Sequence, residues 1–205
     1  MIISFKAKLA FIAQTKCGST SIENALRWHA NVAYTGDAKV THMHMFQYRR
    51  WILPYLDFIG ETGIETTCLF RHPVDWMESW WRYFSQPGVL PEGEDTGGLS
   101  FERYVLEWLE GSDRPYHDVG KQSGMLPGLV RSVSVNHLFR YEELDRFVAL
   151  WEERLGARLA LERHNVSPER EGAELSPPVR ARLEAALAEE FDIWESQTVG
   201  HKPGG

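Results

Sequence analysis

Leu9-Ala-Phe-Ile-Ala-Gln-Thr-Lys-Cys-Gly-Ser-Thr-Ser-Ile22 is the stretch on which the reading of this chain turns. Its first four residues are apolar whichever way they face, the pattern of a strand buried in a sheet, and they form the second half of an expected strand at residues 4–13. A polar run from Gln14 to Thr20 then ends the strand. After it Ile22, Ala25 and Leu26 recur at helical spacing, and Thr20 with Glu23 three positions on has the form of a capping box. The order is strand, loop, helix. It sets successive backbone N–H groups, Gly18 and one lysine at a helix N-terminus, where unpaired amides and the helix dipole favour negative charge. The loop is not a Walker A sequence, because Lys16 precedes Gly18 and the Gly-x-x-x-x-Gly-Lys-Ser/Thr spacing is absent. The plainer reading of such a turn is a connector and nothing more.

Outward from the loop, a second strand is expected at residues 65–70, followed by Pro73 at the first position of a helix. Val74, Met77, Trp81 and Phe84 share one face of that helix. Residues 86–98 carry two Pro and four Gly among several acids and read as an exposed, mobile loop. Ser100 then caps a helix whose stripe is Phe101, Tyr104, Val105, Trp108 and Leu109, ending at Gly111. A third strand is expected at 133–139. Leu144, Phe147, Val148, Trp151 and Leu155 mark a helix stopped at Gly156, and a last helix begins near Ser176 and Pro177 and reaches Trp194. Alternating strands and helices predict one α/β domain over residues 1–199 with a mostly parallel sheet, and a flexible tail at 200–205.

The 205 residues, 43% hydrophobic and 25% charged, suit a single compact domain and disfavour disorder. Lys and Arg total 22 against 29 Asp and Glu, a net charge of -7, which argues against general nucleic-acid binding because that affinity needs many cationic contacts. An anionic ligand must therefore be held by a local cluster. Cys17 and Cys68 show no metal-ligand or disulfide spacing, so reduced thiols and a cytoplasmic setting are expected. No stretch is long and apolar enough for a membrane span.

A second motif strengthens the first: Cys68-Leu-Phe-Arg-His-Pro-Val-Asp-Trp-Met-Glu-Ser79 puts Arg71 at a strand end and Ser79 on the following helix. If the two strands are neighbours, both motifs fall at the carboxyl edge of the sheet, where open α/β sheets bind ligands. Together they resemble sulfotransferases that use 3'-phosphoadenosine 5'-phosphosulfate (PAPS), in their bacterial or carbohydrate-type form. Lys16, Cys17, Gly18, Ser19, Thr20 and Ser21 stand where that family has its 5'-phosphosulfate loop, and Arg71 and Ser79 match its 3'-phosphate motif. A weaker likeness continues through Phe139-Arg-Tyr-Glu-Glu-Leu144 and through Glu189-Glu-Phe-Asp-Ile-Trp194. The resemblance implies a P-loop-like three-layer fold, PAPS as sulfuryl donor, 3',5'-bisphosphate (PAP) as product, no required metal, and a carbohydrate or small-molecule acceptor. Three positions depart from the pattern: Cys17 where Ser or Thr is commoner, Thr15 for a frequent Pro, and His72 for Asp or Asn.

Sulfuryl transfer resembles phosphoryl transfer in that positioning and electrostatics carry the catalysis. Lys16 is the candidate for stabilising charge on the leaving oxygen. For the base, Val40-Thr-His-Met-His-Met-Phe46 offers two histidines on an expected strand end, and alternation there lets at most one face the site. His42 followed by Met43 is the match the resemblance implies, with His44 in reserve; a structural role for both is the plainer alternative. Residues 121–126 and the 86–98 loop are candidates for acceptor contacts, Arg49 and Arg50 for a solvated helix face, and most aromatics for core. A thiol beside cationic groups also raises a redox reading for Cys17. Two other functions compete with sulfuryl transfer, a P-loop small-molecule kinase and a noncatalytic nucleotide-binding domain.

Overall fold

The computed structural model describes residues 1–127, 134–162 and 170–197. The expected tail at 200–205, Val133 at the start of the third predicted strand and residues 198–199 lie outside these. The fold is α/β, with a five-stranded sheet in the order β3-β1-β2-β4-β5.

The expected strand at 4–13 is a hairpin. β1 (Ile2–Ser4) and β2 (Leu9–Ile12) pair antiparallel, with Ile3 opposite Ala10. Lys8 takes a left-handed φ of 53° and its N–H donates to the Phe5 carbonyl at 3.3 Å, closing the turn between them. β3 (Val32–Ala33) pairs antiparallel with the far side of β1. β4 (Glu65–Phe70) lies parallel to β2, and β5 (His137–Arg140) parallel to β4. The sheet is thus mixed instead of mostly parallel: so short a turn can only reverse the chain, whereas the parallel pairs are joined by long crossovers. β5 starts later than expected because Asn136 occupies Thr66 with its side chain. Its Oδ1 accepts from the Thr66 N–H at 2.9 Å and from the hydroxyl at 2.8 Å.

The described residues group into two compact units. The first takes in residues 1–71 and the described parts of 122–165 and 196–205. It holds the sheet, α1 (Ser19–Leu26), α2 (Ala38–Thr41), α3 (Met45–Gln47), a π-helical turn (Tyr48–Ile52), α4 (Leu53–Phe58) and α7 (Leu144–Leu155). Phe147, Trp151 and Leu155 of α7, spaced one helical turn apart, are buried. Phe147 meets Phe11 edge-on with centroids 5.4 Å apart, and the Trp151 indole donates to Thr67 Oγ1 at 3.2 Å. Each such side chain contributes about 2–3 kcal/mol by leaving water. α7 stops at Gly156, where φ is 62°.

The second unit takes in residues 72–121 and the described part of 166–195. Its helices are α5 (Pro73–Phe84), α6 (Phe101–Leu109), α8 (Pro177–Ala186) and α9 (Ala188–Ser196). Pro73 opens α5, and Val74, Met77, Trp81 and Phe84 are buried as their spacing predicts. The Ser100 side chain caps α6 by accepting from Arg103 N–H. The 86–98 loop is fastened at its far end. Thr96 is wholly buried and donates to the Trp81 carbonyl at 2.6 Å, while Arg170 stacks over the Trp81 ring and donates to the carbonyls of Gly97 and Leu99. The expected single last helix is two, parted at Leu187, whose ψ of 19° leaves the helical well while its side chain stays buried. Packing there overrides local continuity. Among the described residues no helix is long and apolar enough to cross a membrane.

At one end of the β4–β5 pair, Glu65 accepts from His137 at 3.1 Å and from Arg154 at 2.5 Å. Burial raises the Glu65 carboxyl pKa, but these two hydrogen bonds outweigh it and hold the group below its ordinary 4.5. A depressed folded pKa contributes stability above the unfolded value, and that contribution is lost as pH falls through the folded one. Glu65→Gln should therefore lower stability at pH 7 by about 0.5 kcal/mol, a small figure because the pair is part-exposed. Melting curves of the two proteins should converge below about pH 4.

Candidate functional site

Parallel pairing of β2 with β4 sets Ile12 opposite Cys68, so the chain leaving β2 and the chain leaving β4 emerge at the same edge of the sheet. The first becomes the loop Gln14–Gly18; the second becomes Arg71. Lys16 and Gly18 both take left-handed backbone conformations, φ 58° and 68°, and Gly18 is the N-cap of α1. The capping box expected from Thr20 and Glu23 does not form. The helix starts two residues earlier than that box requires, and Glu23 is buried, accepting from the Met1 amine at 2.8 Å. Glycine has no side chain with which to cap the helix, so the first-turn amides of α1 depend on other partners. Ser19 and Ser21 are partly exposed and Thr20 exposed on that turn.

Arg71 reaches the loop directly. Its Nη1 donates to the Lys16 carbonyl at 3.2 Å, and its guanidinium sits 5.2 Å from the centroid of the Tyr141 ring. The same ring packs on Gly18, where an added Cβ would lie 3.1 Å from Tyr141 Cε2. Tyr141 follows directly on β5, so three neighbouring strands supply the three sides of this cluster. Gln122 completes it. Wholly buried, it accepts from the Arg71 N–H at 3.0 Å, donates to the Arg71 carbonyl at 2.9 Å, and accepts from the Cys17 thiol at 3.6 Å.

Two cationic side chains are thereby gathered at one loop. Burial, and after it the charge of Arg71, lowers the Lys16 pKa to about 8, while Cys17 acts weakly the other way. An anion beside both cations would reverse that shift. Burial pushes the Cys17 thiol well above its ordinary range and Cys68 up to about 12, and both cysteines are free. The redox reading of Cys17 loses its physical basis, since the reactive thiolate is disfavoured.

His42 and His44 do not lie on a strand end. His42 follows α2, which Asp37 caps through the Lys39 N–H, and His44 precedes α3. The outcome for the ring directions is nevertheless divided: His42 is half-buried and His44 exposed. His42 Nδ1 lies 2.7 Å from the Ala13 carbonyl at the stem of the loop. A carbonyl only accepts, so Nδ1 carries the hydrogen and Nε2 keeps its lone pair in the neutral ring. Burial lowers the His42 pKa; the hydrogen bond to Ala13 and the charge of Glu23 oppose this, and Lys16 adds to the lowering. The net effect keeps the ring neutral near pH 7.

Ser79 lies in the second unit, buried on α5. His72, also there, stands at the start of α5 with its ring edge-on to Phe191 and Trp194, a packing role. The acceptor contacts expected at 121–126 are not offered by Gln122, Ser123, Met125 or Leu126, all of which are buried. Arg49 donates to the Ser134 carbonyl instead of lying free on a helix face, while Arg50 is exposed. Among the described residues no group of three His, Cys, Asp or Glu is placed to hold a metal ion. The linking roles of Gln122 and Tyr141 escape sequence reasoning. Tyr141 falls within the weakly matching 139–144 segment, but no periodicity marks Gln122 as a clasp.

Gly18→Ala should cost about 1–2 kcal/mol from the left-handed backbone alone, with the Tyr141 contact added. Denaturant unfolding of Gly18→Ala and of Gly18→Ala/Tyr141→Ala reads the two parts, and the double variant should recover the portion due to the ring. No protein-family model, no curated protein and no solved structure matches the chain.

Proposed function

We propose that this protein is a PAPS-dependent sulfotransferase that passes a sulfuryl group to a hydroxyl or amine of a carbohydrate or small-molecule acceptor. The observation that carries the reading is the meeting of Lys16 and Arg71, 55 residues apart in sequence, at one sheet edge beside the open end of α1. One cation on each motif suits a nucleotide charged at two positions. The mixed sheet with its loop after β2 is consistent with a P-loop-like three-layer arrangement, and the Lys16-before-Gly18 order separates it from a kinase P-loop.

In this reading the amides of Gly18 to Ser21 hold the 5'-phosphosulfate, with the hydroxyls of Ser19, Thr20 and Ser21 and the Cys17 position completing the loop. Arg71 holds the 3'-phosphate through its fork of donors. His42 Nε2 takes the acceptor proton as the acceptor oxygen or nitrogen bonds to sulfur. The bond from sulfur to the phosphate oxygen breaks in line, and Lys16 stabilises the charge left on that oxygen. The products are PAP and the sulfated acceptor, and no metal enters the step.

Thermal shift with PAP against ATP plus Mg²⁺ tests the donor. PAP at one hundred times its Kd should stabilise by about 2.7 kcal/mol, whereas a preference for ATP would point to the kinase and overturn the reading. Binding of PAP without sulfate transfer to any acceptor in a broad panel would leave a noncatalytic nucleotide-binding domain. Lys16→Ala should lower kcat by about a hundredfold. Arg71→Ala should act on donor affinity first, and an unchanged PAP Kd removes the 3'-phosphate role.

The pH profile follows from the two shifted groups. His42 must be neutral to accept a proton and its pKa is lowered from 6.5, so the acid limb of kcat/KM should have its midpoint below pH 6.5. Lys16 must be charged, so activity should fall as pH passes about 8. Lys16→Arg should move the alkaline limb upward and leave the acid limb in place; an alkaline limb that does not move assigns it to another group.

A further inference from the structure

The Gln122 side chain does for Arg71 what a neighbouring strand does for a residue inside a sheet. Its Oε1 accepts the Arg71 N–H at 3.0 Å and its Nε2 donates to the Arg71 carbonyl at 2.9 Å, one residue beyond the last residue of β4. The same Oε1 takes the Cys17 thiol at 3.6 Å, and the Gln122 carbonyl accepts from Gln14 Nε2 at 3.3 Å. Four bonds thus run from one wholly buried residue to both motifs, three of them through a single amide. A side-chain amide offers a donor and an acceptor side by side, whereas an ionised Glu lacks the donor, Lys the acceptor and Met both. Burial sharpens the consequence, because water does not replace a lost partner there.

The loop and Arg71 also meet through the Arg71 Nη1 bond to the Lys16 carbonyl and through Tyr141. Those contacts act at the guanidinium end of a long side chain. The backbone from which that side chain springs is held by Gln122, and a shift of the backbone moves the guanidinium relative to Lys16. A ligand gripped at one end tolerates such a shift, since it follows the group that holds it. A ligand gripped at both ends does not, because its own covalent length fixes the separation it needs.

We propose that Gln122 is a positioning residue that sets the separation between Arg71 and the Lys16 loop, and so selects a nucleotide phosphorylated at both its 3' and 5' positions over one phosphorylated at 5' alone. This rests on the sulfotransferase reading and adds to it the residue that fixes its nucleotide specificity. Gln122 touches no substrate in this account. It acts through Arg71 and Cys17.

Calorimetric titration of wild type and Gln122→Met with PAP and with AMP tests it, thermal melting of each protein serving as the check on folding. Wild type should bind PAP at least about tenfold more tightly than AMP, and Gln122→Met should lose about tenfold for PAP while AMP stays within about threefold. The readout is the ratio of the two dissociation constants, which a general loosening of the fold would not change. Equal loss of both affinities, or an unchanged ratio, overturns the positioning role and leaves the sulfotransferase reading intact. A wild-type ratio near one overturns that reading, and this proposal with it. Where Gln122→Met does not fold, Gln122→Asn carries the same test: it keeps the amide but draws it back by one methylene, so the ratio must fall or the proposal is wrong.

Discussion

Leu9 to Ile12 run alongside Glu65 to Cys68 in parallel register, and the candidate site exists because of that pairing. Parallel neighbours end at the same edge, so the loop after β2 and Arg71 after β4 are delivered to one place without any long reach. The antiparallel hairpin with β1 protects the other side of β2, and the parallel β5 brings Tyr141 to the opposite flank of β4. A register slip of one residue in β2 would swap the side chains it presents to the two faces of the sheet. Both faces are buried from Leu9 to Gln14, so the register is held by close packing on each side.

Electrostatics at that edge is arranged against the protein's own charge. The chain is acidic overall, yet Lys16 and Arg71 are held close enough for Arg71 to depress the lysine pKa. An anion placed beside the pair would lower the cost of holding those like charges together. The two cysteines follow the opposite logic. Burial raises both, so Cys17 serves as a small packing group and weak donor to Gln122. His42 is tuned a third way, its tautomer set by the Ala13 carbonyl and its charge suppressed by burial.

The second unit shows how local signals and long-range packing divide the work. α5 and α6 follow their sequence patterns, with Pro73 and Ser100 at their starts. The Gly- and Pro-rich loop at 86–98 has the composition of a mobile segment, yet Thr96 and Arg170 tie its end to Trp81. Arg170 comes from a distant part of the chain, and composition carries no trace of that contact. The same holds for His72, which reads as a departure from a ligand motif and packs as a helix-start aromatic.

Local chemistry alone determined the strand-loop-helix order around Gly18, the strand at 65–70, the starts of α5 and α6 and the stop of α7 at Gly156, because period, proline and glycine act within a few residues. It also singled out Lys16, Gly18 and Arg71, and narrowed the base to His42 or His44, between which only the family resemblance chose. It misjudged the 4–13 strand, the capping box and the continuity of the last helix, where a left-handed Lys8, a buried Glu23 and a buried Leu187 answer to contacts elsewhere. Only the tertiary structure decided that Gln122 clasps Arg71, that Tyr141 covers Gly18, and that His42 turns inward while His44 turns out. Each of those is a meeting of residues far apart in the chain, and such meetings are set by which strands become neighbours, a property that no single stretch of sequence contains.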